Sequence, residues 1–236
     1  MKDNTEQILS EDFEYVYSKN KWHSDCFYKK SVFITGATGL IGSNLAKYLL
    51  FLNRHYGTDI SIYLLVRNLE KANAVFGDEV CQNQVVLIPA DVQDQNLSGM
   101  MECHIDYIIH AASETSSRNF VEKPVETIMT AIEGTKNVLS LAKEKKVSGI
   151  VYLSSMEVYG ISVNDDLIAE KDIGYLDPLE VRSSYSESKK MAENLCISFA
   201  SEYDVPVKII RLAQTFGPGV AYDDGRVFAQ FARCAI

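Results

Sequence analysis

"VFITGATGLIGSNLAKYLL", residues 32–50, decides the fold. Its first four residues are apolar or β-branched and read as a strand. Gly36, Gly39 and Gly42 then make a tight turn, and the remainder reads as an amphipathic helix. Glycine is needed at such a turn because a Cβ would hold the backbone away from a pyrophosphate and the helix away from the strand. The helix start adds unpaired N–H donors and the positive end of its dipole. Thr38, Leu40 and Ile41 therefore join the three glycines as candidate cofactor contacts. Three glycines also occur in ordinary strand–helix turns, but a strand before them and a helix after them favour a dinucleotide.

Outward from this unit, short β-rich runs alternate with longer helical stretches. The runs are "SVFIT", "SIYLLV", "VVLIPA", "YIIHAA", "GIVYLSS" and "VKIIRLA", and the helices are expected over 40–54, 122–145 and 183–204. Strands with few charges suit a sheet buried on both faces, and helices of that length make parallel crossovers. The expected fold is α/β, a Rossmann-type doubly wound parallel sheet with helices on both faces. Residues 1–30 read as an N-terminal extension in which Ile8, Leu9, Phe13, Val16 and Tyr17 suit a short amphipathic helix. Residues 31–236 read as the NAD(P)-binding domain with the start of a substrate-binding part, and 161–182 as a long loop over the site.

The bulk numbers exclude some classes. A net charge of −9 and a pI near 5.0 oppose a phosphate-tracking surface, so nucleic acid is not an expected partner. The five cysteines are scattered, with no spacing suited to a metal, and a reducing cytoplasm is the expected compartment. No stretch approaches the ~20 apolar residues of a membrane helix, and the start lacks a signal core.

The end of the second strand ordinarily distinguishes the dinucleotides. An acidic residue there would hold the ribose hydroxyls of NAD; Arg67 leans instead toward the 2′-phosphate of NADP, unless it is a solvated strand-end charge. Asp91 and Val92 follow the third strand, where the carboxylate suits an adenine amino group or simply a turn. Ala111, Ala112 and Ser113 end the fourth strand in small residues, which lets the chain pass under a flat cofactor.

"RSSYSESKKMAENL" sets Tyr185 and Lys189 one turn apart on a helix, hence on one face. A phenol with a pKa near 10 is a poor base at neutral pH, and an adjacent ammonium stabilises the phenolate. Bringing it near neutrality asks about 4 kcal/mol of the lysine and the cofactor charge together. Tyrosine and lysine at this spacing are common on exposed helices. What favours chemistry here is their order after the glycine turn, the alanine-rich strand end and the serine-bearing strand end.

With "TGATGLIG", "HAAS", Gly134–Thr135, "SSMEVYG", "YSESK" and "RLAQTFGPG" in hand, the chain from about Ser31 onward resembles the extended short-chain dehydrogenase/reductases of the nucleotide-sugar epimerase/dehydratase group. The resemblance implies that Tyr185 takes a proton from a sugar hydroxyl, that Lys189 supports it, and that Ser155, rather than Ser154, meets the same hydroxyl. Met156 stands where the 4,6-dehydratases carry an aspartic acid, and a thioether cannot donate a proton. Glu157 remains as a general acid or base, or as an ordinary polar residue. That glutamate, the loop "GYLDPLEVRSSYSESKK" and "QTFGPGVAYDDGRVFAQF" most resemble UDP-glucuronate decarboxylases, which oxidise C4 and lose carbon dioxide from the resulting β-keto acid. Arg182 and Gln214, with Ser113 and Ser155, are the implied substrate contacts; the guanidinium fork suits a carboxylate or phosphate.

Three positions depart from the pattern: Ala131 and Gln214 replace asparagines, and Arg67 replaces the acidic NAD marker. The departures keep a nucleotide-sugar 4-epimerase, an NADPH-dependent keto-sugar reductase and a non-catalytic dinucleotide-binding module in view. The family further implies NAD or NADP as cofactor, a homodimer, and a C-terminal substrate-binding part of which this chain holds only the beginning.

Overall fold

The computed structural model describes residues 2–82, 85–161, 167–220, 222 and 224–235. Six strands, β1 (Ser31–Thr35), β2 (Ser61–Val66), β3 (Val85–Pro89), β4 (Tyr107–His110), β5 (Gly149–Ser155) and β6 (Val207–Leu212), form one sheet in the order β3-β2-β1-β4-β5-β6. Every ladder is parallel. The order reverses between β1 and β4, so the crevice beyond their carboxyl ends is where a doubly wound sheet takes its ligand.

Seven helices flank the sheet among the described residues: α1 (Lys2–Asp25), α2 (Leu40–Tyr56), α3 (Leu69–Phe76), α4 (Asn119–Glu122), α5 (Pro124–Lys145), α6 (Ser184–Tyr203) and α7 (Val227–Cys234). All five residues of β1 are buried, as a central strand between two helical layers requires. Their alternation divides the core. Phe33 packs with Val138 and Leu139 of α5 and with Ala192 and Cys196 of α6. Val32 and Ile34 pack on the other face with Leu49, Leu50 and Phe51 of α2 and with Ala72 and Phe76 of α3.

Local chemistry sets several boundaries differently from the sequence expectation. The helix expected over 122–145 breaks at Lys123, which is non-helical; Pro124, whose missing N–H costs nothing at a first position, opens α5. The short helix α3 had no counterpart in the sequence reading, although Asn68 caps it by accepting from the Lys71 N–H at 2.8 Å. The short N-terminal helix expected around Ile8–Tyr17 is instead a 24-residue helix bent at Asn20. It docks on α2 through Tyr17 stacked on Tyr56 at 3.7 Å and through Phe13 against Tyr48 and Phe51. None of the helices among the described residues is long and apolar enough to cross a membrane.

At the amino-terminal end of the strands, opposite the crevice, Asp106 ties the starts of β1 and β4 together. One carboxylate oxygen accepts from the Ser31 N–H and hydroxyl, both at 2.9 Å, and the other from the Lys30 ammonium at 3.0 Å. Burial pushes this carboxyl upward, but the Ser31 amide, the Lys30 ammonium and the Ser31 hydroxyl outweigh it and hold the group down at about 2. Because the folded value lies below the unfolded one, the stabilisation is complete above about pH 4 and is lost as pH falls toward 2. Asp106→Asn should thus cost about 2 kcal/mol in urea unfolding at pH 7. The gap from the unsubstituted protein should close on acidification through that window.

Candidate active site

The glycine turn sits in the crevice, and its glycines are required by contact. Gly36 has φ +65°, and a Cβ there would lie 2.7 Å from the Ala111 carbonyl group and the Ala112 nitrogen. At Gly42 a Cβ would lie 2.3 Å from the Gly36 oxygen, so the turn presses on the end of β4 while α2 presses on the turn. Gly39 differs: only the Gly36 oxygen, at 3.2 Å, comes near, and the residue is exposed. Gly39 precedes the first turn of α2 and offers no side-chain cap, which leaves the Leu40 and Ile41 N–H groups without an intrahelical acceptor. Thr38 lies half-buried beside them. A bare, outward-facing glycine at an uncapped helix start fits the pyrophosphate of a dinucleotide.

At the far end of the crevice, Arg67 and Asp91 face each other at 3.7 Å, with the arginine side chain 77% exposed. Asp91 also accepts from the Gln93 N–H at 2.9 Å, which makes it a turn residue as well as a candidate ligand. Val92 is buried against Gly134 of α5, where a Cβ would come within 2.8 Å of its methyl group. This contact explains the glycine of Gly134–Thr135. The neighbouring Thr135 hydroxyl lies 3.1 Å from His110 Nε2, and His110 Nδ1 lies 2.7 Å from Thr35 Oγ1, which also accepts from the Ala112 N–H at 3.1 Å. Burial, with the Lys189 ammonium nearby, pulls His110 down to about 3, so the imidazole is neutral and serves to brace β1, β4 and α5.

β5 and α6 bring the remaining candidates together. Alternation along β5 turns Ser154 and Ser155 to opposite sides. Ser154 is buried and donates to Glu193 at 2.6 Å, and Arg211 completes that ion pair at 2.7 Å. Ser155 is left facing the crevice, where its hydroxyl accepts from the Glu157 N–H at 3.2 Å and works against the rise of the Tyr185 phenol. The ring of Tyr185 stacks on Phe120 of α4, with centroids 4.2 Å apart and planes 9° from parallel. Ser184 donates to the Phe120 carbonyl at 2.8 Å and fixes that stack.

Lys189 lies on the face of α6 that carries Tyr185, with its ammonium 5.9 Å from the centre of that ring. Its ammonium is buried, donates to the Leu153 carbonyl at 2.7 Å and lies 4.7 Å from the centre of the Tyr152 ring. Burial brings it down to about 8. The Tyr185 phenol, expected to be lowered by this lysine, is held above its ordinary value by burial; the Ser155 and Ser113 hydroxyls and Arg182 oppose that rise, and Glu157 adds to it. The lysine thus ties α6 to β5 through the Leu153 carbonyl.

Glu157 and Arg182 form a two-pronged pair, Nη1 to Oε2 and Nη2 to Oε1 both at 3.0 Å, and Ser186 donates to Oε2 at 3.0 Å. Arg182 also lies over the Phe120 ring, 4.8 Å from its centre. Ser113, Ser155, Glu157, Arg182, Tyr185 and Lys189 thus converge at the ends of β4 and β5. Gln214 stands two residues beyond Leu212, the register partner of Ser155, and is exposed. Its loop runs on beside the glycine turn, where Asn44 donates to the Pro218 carbonyl at 2.9 Å. Ala131 is buried in α5. The expected loop over the site is pinned where Ile161 pairs with Tyr175, and 162–166 lie outside the described residues. Phe120, Ser186 and His110 are site-building residues that spacing did not single out.

Comparison with known proteins places this arrangement. The sequence model of the NAD dependent epimerase/dehydratase family matches residues 32–236, and the chain belongs to that family. It is 30% identical over 226 residues to UDP-glucuronic acid decarboxylase 1 of Xenopus tropicalis, covering 95% of this chain and 50% of that protein. It is 32% identical over 210 residues to UDP-glucuronic acid decarboxylase 3 of Arabidopsis thaliana, covering 87% and 56%. Among solved structures, a dTDP-glucose 4,6-dehydratase of Streptomyces venezuelae with NAD bound superposes with a TM-score of 0.70 at 23% identity, over 86% of this chain and 61% of that one. The chain spans about half the length of the curated relatives it matches.

The buried lysine leaves a signature in stability. Its folded value of about 8 lies below that of an unfolded lysine near 10.5, so the unfolded chain holds more protons between the two. Stability should rise with pH across that interval by about 3 kcal/mol, and Lys189→Met should flatten the rise, as measured by denaturant unfolding at pH 7.5, 9 and 10.5.

Proposed function

We propose that this chain acts in the oxidation of a nucleotide sugar at C4, with a UDP-uronate as the substrate class, decarboxylation as the leading outcome and 4-epimerisation as the next. The observation that carries the reading is the convergence of Ser155, Tyr185, Glu157 and Arg182 beside the glycine turn. Bound NAD, the dinucleotide in the family's description, supplies the hydride acceptor and donor. Tyr185 receives the proton of the sugar hydroxyl as the carbon beneath it is oxidised, and Ser155 shares that hydrogen bond. Lys189, tied to Leu153, keeps Tyr185 beside Ser155, while Phe120 fixes the plane of its ring. Glu157 directs a proton to C5, where loss of carbon dioxide leaves an enolate; inversion at C4 needs only return of the hydride to the other face of the ketone. A 4-keto uronate is a β-keto acid, which loses carbon dioxide without further activation by a metal.

Arg67 supports a second reading, an NADPH-dependent ketone reductase, since its exposed guanidinium stands where a 2′-phosphate would lie. In that case the phosphate must win the guanidinium from Asp91. A homodimer is the quaternary state we favour, because α5 and α6 pack side by side and leave Val125 66% and Met191 54% exposed along with Ile128, Met129 and Ile197.

Incubated with UDP-glucuronate and NAD, the protein should release carbon dioxide and a UDP-pentose; neither product would remove the leading outcome. Tyr185→Phe should lower turnover by roughly a thousandfold while leaving NAD affinity, read by fluorescence titration, within about twofold. Val125→Glu combined with Met191→Glu should shift the mass in light scattering from dimer to monomer.

A further inference from the structure

The pair formed by Glu157 and Arg182 is unusual for a site that must offer a free carboxylate. Both prongs of the guanidinium are spent on Glu157, and Ser186 adds a third bond, so each carboxylate oxygen has a donor. A carboxylate so engaged has Oε2 saturated and keeps only one acceptor position, on Oε1, for a substrate. Arg182, by contrast, does not depend on Glu157 for its place, because its guanidinium also rests on the Phe120 ring that stacks on Tyr185. The pair is open to ligand, with Arg182 44% and Glu157 31% exposed, and an ion pair that accessible to water is weak enough to be exchanged. Arg182 lies over one ring of the Phe120–Tyr185 stack, 4.8 Å from the Phe120 centre, which sets the pair beside the phenol.

We infer that Arg182 is a specificity-determining residue that trades Glu157 for the carboxylate of the bound sugar, so that Glu157 becomes free to act only when an anionic sugar occupies the site. The inference rests on the nucleotide-uronate reading above and adds to it a substrate-released internal ion pair. A neutral nucleotide sugar, lacking the competing carboxylate, would bind with Glu157 still held. Discrimination would then appear in binding, where the guanidinium finds a partner. It would also appear in chemistry, where the glutamate is unmasked. No covalent step is involved, only the exchange of one carboxylate for another on the same two-pronged donor.

The test is calorimetric titration of UDP, UDP-glucose and UDP-glucuronate into the NAD-loaded protein, its Arg182→Gln form and its Glu157→Gln form. The unsubstituted protein should bind UDP-glucuronate more tightly than UDP-glucose by about tenfold or more. Arg182→Gln should abolish that preference and leave UDP and UDP-glucose unchanged. Glu157→Gln should strengthen UDP-glucuronate alone, by roughly two- to fivefold, because the arginine no longer has a charged rival; a purely structural pair has no reason to show that gain. The inference is overturned if Arg182→Gln weakens all three ligands alike, if Glu157→Gln leaves the preference unaltered, or if neither sugar adds to the affinity of UDP. Carbon dioxide released with the preference intact in Arg182→Gln would sink the exchange and keep the decarboxylase reading. The preference and its loss in the variant, with no carbon dioxide, would do the opposite.

Discussion

The site depends on one buried hydrogen bond, from the Lys189 ammonium to the Leu153 carbonyl. That bond joins α6 to β5 two residues before Ser155 and one helical turn after Tyr185, between the two groups it holds in place. A charged amine in such a place is costly, which is why its proton is loosely held. The cost is offset by geometry that chemistry can use: a phenol, a serine hydroxyl and a glutamate brought to one point beside a helix N-terminus. One turn farther along α6, the Ser154–Glu193–Arg211 group makes a second tie to β5, and Arg211 reaches on to the Glu170 carbonyl of the overlying loop.

The second constraint is the close approach of backbone to backbone at the glycine turn. Gly36 touches the end of β4 and Gly42 touches Gly36, so the first and fourth strands and α2 meet with no side chain between them. The crevice that results has a bare floor formed by Ala111 and Ala112 and a rim of N–H groups. Its position follows from strand order rather than from any single residue. Family membership and the crevice agree on a dinucleotide, while the proposed chemistry on a sugar rests on the residues at the ends of β4 and β5 and at the start of α6.

Much of the architecture was legible because buried parallel strands must be apolar throughout. The six runs chosen by that rule are the six strands of the sheet, and the expected helices at 40–54 and 183–204 lie within two residues of α2 and α6. The misses are local. Lys123 interrupts a stretch with a continuous helical pattern, and the length of α1 depends on aromatic contacts with Tyr48, Phe51 and Tyr56 that periodicity does not encode. In the site, the convergence of Ser155 with Tyr185 was legible from motif order. The bond that holds Lys189, the rise in the Tyr185 phenol and the pairing of Glu157 with Arg182 were not, since each is set by three-dimensional burial or by a contact across twenty-five residues.

Under the proposed mechanism, the carbon lying beneath Tyr185 gives up a hydride while the phenol takes the adjoining proton. Stopped-flow absorbance at 340 nm, with NAD-loaded protein mixed against UDP-glucuronate carrying hydrogen or deuterium at C4, reads that step alone. A transient rise that deuterium slows by about threefold, and that Tyr185→Phe eliminates, is the expected result. A flat trace, or one indifferent to the isotope, would contradict the account.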